Sequence, residues 1–136
     1  MAPSHLLDTS VYSQPLKPRP LPSVERHWRK HGDEALAVSV ICEAELRFGI
    51  EKKQSAKLRR DFAALLQGRL VSFDVDIAIA AAFGELKAQA LRKGLGLSDF
   101  DLLIAATAKT HALTVATLNV RHFIGLDGVV VEDWSR

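Results

Sequence analysis

The feature that most constrains this chain is an alternation. Short apolar runs, too brief for helices, are separated by longer stretches in which apolar residues recur every three to four positions. The runs are "HLLD" at His5–Asp8, "ALAVS", "RLVSF", "LTVATLN" and "GVVVEDW". Between them, helical spacing covers Ser23 to His31, Val40 to Lys53, Ser55 to Gln67, an alanine-rich segment reaching about Lys93, and a segment from near Ser98 to near His111. Strands separated by helices pair in parallel through right-handed crossovers. The spacing therefore predicts an α/β three-layer sandwich, with a central parallel sheet of four to five short strands flanked by helices.

Punctuation supports the same reading. Ser23, Ser39, Ser98 and either Asp74 or Asp76 stand where helix N-caps belong, and Gly32, Gly68, Gly94 and Gly96 where helices stop. The prolines of "TSVYSQPLKPRPLP" predict a turn and loop after the first strand. Val40, Ile41, Ala44 and Phe48 predict one inward helical row, and Leu58, Phe62, Leu65 and Leu66 another.

With 136 residues, 48% of them hydrophobic and 25% charged, the chain is long enough and apolar enough to bury its own core, so a single domain over 1–136 is expected. Cys42 has no partner for a disulfide, and no Cys/His spacing suggests zinc; a cytoplasmic setting follows. The start lacks a secretory pattern, and no apolar run approaches the roughly 20 residues of a membrane span. A net charge of +2 does not announce a nucleic-acid binder. Basic residues do gather at Lys17–Lys30, Arg47–Arg60 and Lys87–Lys93, chiefly as solvated helix faces.

The chemistry lies where acids interrupt apolar patterns. Asp8 closes the first strand, beside the hydroxyls of Thr9 and Ser10, and ligands of parallel sheets gather beyond the carboxyl ends of strands. Glu45 lies four residues after Ile41 and three before Phe48, on their row, whereas Glu43 faces out. Asp101 opens a helix whose same face carries Ile104, Ala105 and Ala108, and Asp99 points elsewhere. Ser98 and Asp101 also match a capping box, so helix punctuation alone is the competing explanation. Asn119 ends the fourth strand, two residues after Thr117, and could cap a short "VRHF" helix. Three converging carboxylates repel one another unless a cation joins them. An all-oxygen set favours Mg2+ or Mn2+ over zinc. Glu132 and Asp133 read as surface residues, His122 as exposed or hydrogen-bonded, and Trp28 and Trp134 as packing.

The ordered combination of "LLDTSVYSQPLKP", "VSVICEAELRFGIEK", "DFDLLIAATAKTHALTVATLNVRHF" and "VEDW" resembles the PIN-domain ribonucleases, and within them the VapC-type toxins of toxin-antitoxin pairs, including FitB-like members. The resemblance implies that Asp8, Glu45 and Asp101 hold the metal, that Asn119 fills a slot occupied by Asp or Asn in relatives, and that Thr9, Ser10 and Thr117 supply supporting hydroxyls. Ser10 stands where many relatives carry Asn, and His122 where an acid often precedes the Phe. One Mg2+ or Mn2+ site is therefore implied, completed by water and RNA phosphate. It further implies hydrolysis of structured RNA, often tRNA, with Asp101 or Glu45 as the proton acceptor, a homodimer, and a cognate antitoxin filling the groove. Two rivals stand beside it: a non-catalytic module acting with an antitoxin on operator DNA, and a phosphatase, for which no paired-aspartate loop is evident.

Overall fold

The computed structural model describes residues 2–136. Five strands alternate with six α-helices: β1 (His5–Leu7), α1 (Thr9–Tyr12), α2 (Pro22–His31), β2 (Leu36–Ser39), α3 (Val40–Lys53), α4 (Ala56–Leu65), β3 (Val71–Phe73), α5 (Ile77–Arg92), α6 (Asp99–His111), β4 (Thr114–Thr117) and β5 (Val130–Asp133). The strands form one parallel sheet in the order β3-β2-β1-β4-β5. The chain steps outward from β1 to β3, then crosses back to place β4 on the other side of β1. Strand order thus reverses between β1 and β4, the position at which open α/β sheets leave a crevice at their carboxyl ends.

Burial follows from that topology. Every residue of β1 and β2 is buried, as expected of strands covered on both faces. Helix α5 turns Ile79, Leu86 and Ala90 inward, and α6 buries Leu102, Ile104, Ala105, Ala106, Thr107 and Ala108. Alanines in α6 let α5 and the sheet approach closely around most of its circumference.

Several local expectations need correction. The segment after Asp8 is not simply loop: Thr9–Tyr12 forms a helical turn capped by Asp8, and Gln14–Leu16 a 3-10 turn. Helix α2 begins at Pro22 after Leu21, so Ser23 lies inside it rather than capping it; proline at a first helical position loses no hydrogen bond. On α3 the buried row is Cys42, Leu46 and Ile50, not the row through Ala44 and Phe48. Phe48 is 67% exposed, because the face that meets the sheet is set nearly half a turn away. On α4, Phe62 and the following Leu66 are buried while Leu65 is exposed. The caps Ser39, Asp76 and Ser98 are present, each accepting a backbone N–H through its side chain.

Candidate metal centre

Asp8 is the first residue beyond β1 and is only 4% exposed. Its position at the strand reversal would leave a charged carboxylate in the interior, and local donors compensate. Oδ1 accepts from Ser10 Oγ at 2.6 Å and from the Val11 amide at 3.1 Å, and Oδ2 accepts from Thr117 Oγ1 at 2.5 Å. Both hydroxyls are themselves anchored to the turn after β4, accepting from the amides of Leu118 (3.1 Å) and Asn119 (2.9 Å). The ends of the two central strands are thereby tied together through one carboxylate.

Burial pushes the Asp8 carboxyl above its ordinary value, against the lowering effect of the Ser10, Thr117 and Val11 hydrogen bonds, and the nearby charge of Asp101 pushes the same way. The sign of the consequence is fixed. A carboxyl that binds its proton more tightly folded than unfolded makes stability fall as pH rises from the ordinary Asp range through the raised folded value. Without a divalent ion, charged Asp8 therefore costs stability at neutral pH. Asp8→Asn melts higher than the wild type in chelator at neutral pH, and the gap closes in acid below the ordinary Asp range; thermal melts across that range check it.

Glu45 sits half-buried on α3, where Thr9 Oγ1 donates to its Oε1 at 2.6 Å. One turn earlier on the same helix, the buried Cys42 thiol donates to the Leu7 carbonyl at 3.5 Å. Burial, with the charges of Asp8 and Glu45 adding to it against a Thr9 hydrogen bond, pushes that thiol up to about 12. Cys42 is thus a buried, protonated thiol that feels the charge of both carboxylates. Nothing in the sequence set it apart from an ordinary core residue.

At Asp101 the two halves of a capping box come apart. Ser98 Oγ accepts the Asp101 amide at 3.1 Å, as a capping box requires. The reciprocal half is not formed: the Asp101 carboxylate turns to His122 Nδ1 at 3.1 Å. The cap is supplied by serine alone, and the acid pairs with the histidine. Ser98→Ala costs about 1 kcal/mol of stability, measurable by urea denaturation. Asp99 pairs with Lys87 on the surface at 2.9 Å, away from this cluster. Asn119 is exposed and precedes the Val120–His122 3-10 turn without a side-chain capping bond, so its amide is not consumed by the turn.

The three carboxylates do not all close to within 4.8 Å of one another. Thr9 holds Glu45, and His122 draws Asp101 aside. Among the described residues, none of the three is paired with lysine or arginine. An all-oxygen donor set, held by hydroxyls at Asp8 and Glu45 and by His122 at Asp101 with no lysine or arginine against it, fits a hard divalent ion. Beside Thr9 and Glu45 runs a groove of about 720 Å³ that also meets Lys17, Lys53 and Lys57. Lys57 is tied to Asp61 at 2.6 Å, whereas Lys17 and Lys53 have no carboxylate partner among the described residues.

Trp28 and Trp134 are buried packing residues, at 7% and 0% exposure. Glu132 is not a plain surface acid: it is half-buried and bonded to His5 at 3.2 Å and to the Trp134 indole at 2.7 Å.

Comparison with known proteins identifies the family of the fold. The PIN domain family model matches residues 5–128. The chain is 35% identical over 137 residues to Toxin FitB of Neisseria gonorrhoeae, spanning 95% of this chain and 97% of that one. It is 30% identical over 130 residues to the tRNA(fMet)-specific endonuclease VapC of Shigella flexneri, spanning 96% and 97%. The crystal structure of DNA-bound VapBC from Salmonella typhimurium superposes with a TM-score of 0.81 at 29% identity, over 97% of this chain and 98% of that one. The sheet order, the strand-terminal aspartate and these full-length matches place the chain in the PIN-domain family, among its VapC- and FitB-type toxins.

Proposed function

We propose that this chain is a Mg2+- or Mn2+-dependent ribonuclease toxin that hydrolyses phosphodiester bonds in structured RNA, tRNA foremost, and is neutralised by a cognate antitoxin protein. The observation that carries the reading is Asp8: a buried carboxylate at the strand reversal, held by Ser10 and Thr117 and raised in proton affinity by burial and by Asp101. Such a group is poorly explained by stability and well explained by a cation. Asp8, Glu45 and Asp101 would hold the ion. When bound, a divalent ion supplies Lewis-acid stabilisation of phosphate charge and acidifies water.

The remaining roles belong to side chains. Ser10 and Thr117 fix the Asp8 oxygens, and Thr9 orients Glu45. The carboxylate of Asp101 or Glu45 takes the proton of the attacking water as the phosphorus–oxygen bond to the leaving ribose oxygen breaks. Asn119, at the exposed rim, offers an uncharged amide to water or phosphate. Lys17 and Lys53 along the groove attract the RNA backbone. The tRNA preference rests on the Shigella relative's name, and the antitoxin on the VapBC complex. The chain works in the cytoplasm as a homodimer, in keeping with apolar side chains left on its surface such as Ile77 (89% exposed) and Phe100 (50%). No helix among the described residues is long and apolar enough to cross a membrane.

The test is a purified cleavage assay on a tRNA pool. Wild type cleaves with Mg2+ or Mn2+, stops in chelator, and loses RNA affinity as salt rises, with a shallower salt slope for Lys53→Glu. Undiminished cleavage in chelator contradicts the proposal. Because the Salmonella relative was crystallised on DNA, the same preparation, with its antitoxin, is also assayed for operator binding. Operator binding without any RNA cleavage by the free chain would favour the non-catalytic reading.

A further inference from the structure

A second constellation lies away from the carboxylates at the strand ends. His5 opens β1, about 10 Å along the strand from Asp8 at ~3.3 Å per residue. His31 ends α2, and Glu132 lies in β5. One ligand atom from each, all three within 4.8 Å of one another, makes this the group of such closeness among the described residues. Nothing local in the sequence joins them. Pairing of β4 with both β1 and β5 aligns His5 with Thr114 and Thr114 with Val130, which brings Glu132 into reach.

We propose that His5, His31 and Glu132 form a binding site for a borderline transition-metal ion, Zn2+ in particular, distinct from the oxygen site at the strand ends. Two imidazoles and a carboxylate are a donor set that zinc accepts, with a fourth position left for water. Ligand atoms around tetrahedral zinc stand about 3.3 Å apart. His5 Nε2 and Glu132 Oε2 already stand 3.2 Å apart, and His31 Nε2 is 3.9 Å from Glu132 Oε1. The outer contacts are also in place. Ser4 Oγ bonds His5 Nδ1 at 2.8 Å, which leaves Nε2 directed at the site, and the Trp134 indole N–H donates to Glu132 Oε1 at 2.7 Å. Trp134 forms the floor, stacked on His31 with ring centroids 5.7 Å apart.

The ion would join three elements distant in sequence. Its effect is to pin the edge strand β5 and the end of α2 to the central strand. Hard Mg2+ competes poorly for imidazole nitrogen, so the site is addressable in excess Mg2+.

The experiment uses the full-length chain, stripped of metal and returned to excess Mg2+, titrated with Co2+ as a visible-absorbing zinc substitute and then with Zn2+. Wild type and Asp101→Asn both develop Co2+ d–d absorption that Zn2+ removes, and Zn2+ raises their melting temperature. His31→Asn and Glu132→Gln weaken the site by about 100-fold or more. Glu132→Gln keeps an oxygen for the Trp134 N–H, so it decides the matter where His31→Asn does not fold. Ni2+ quenches tryptophan fluorescence in the wild type and not in either variant. Co2+ binding of wild-type strength in Glu132→Gln, or no Co2+ absorption in the wild type, overturns the proposal.

Discussion

Asp101→Asn lowers metal-dependent RNA cleavage by about 1000-fold, the range lost when a group that moves a proton or holds a catalytic ion is removed, while the fold survives. The fold survives because helix α6 is capped by Ser98 through the Asp101 amide, which asparagine retains, and because its buried face is built from Leu102, Ile104, Ala105 and Ala108. What asparagine loses is charge: the pairing with His122 at 3.1 Å and the field that raises Asp8. The variant should therefore match the wild type by circular dichroism while losing turnover. Wild-type cleavage by Asp101→Asn would return this acid to ordinary helix punctuation.

Trp134→Ala destabilises the chain by about 3–5 kcal/mol, the usual cost of deleting a buried indole and leaving a cavity. Trp134 is 0% exposed and is the largest fully buried side chain. Its ring stacks on His27 and His31 at centroid distances of 5.0 and 5.7 Å, and its N–H satisfies Glu132. Alanine therefore removes both packing and the hydrogen bond that holds a half-buried carboxylate. Against a typical total stability of about 5–15 kcal/mol, the loss is a large fraction of what the chain has. Urea denaturation should show a much lower midpoint with an unchanged slope, and a midpoint close to wild type would show that this end of the sheet does not depend on the indole.

Some of this was legible in the residues and some was not. The alternation of short apolar runs and helical spacings carried the α/β architecture, and "HLLD" placed Asp8 at a strand end because a charge closing an apolar run has few other positions. Thr9, Ser10 and Thr117 were visible as hydroxyls beside it, and each makes a bond to Glu45 or Asp8. The inward row of α3 lies on a different face from the one its apolar spacing predicts. Periodicity identifies a stripe of apolar residues, yet Ala44 and Phe48 satisfy the spacing as well as Cys42, Leu46 and Ile50 do, and only packing against the sheet separates them. The His122–Asp101 pair and the His5–His31–Glu132 group arise from tertiary register between segments up to 127 residues apart, for which no local pattern exists.

The central claim is that Asp8, Glu45 and Asp101 share one hard cation. Anomalous diffraction from crystals of the full-length chain grown with Mn2+ tests it most directly. The account predicts a manganese peak beyond the carboxyl ends of β1 and β4, within about 2.0–2.6 Å of oxygens from these side chains, and no such peak in Asp8→Asn crystals. Manganese absent from that position in the wild type, with the three carboxylates still apart, would contradict it.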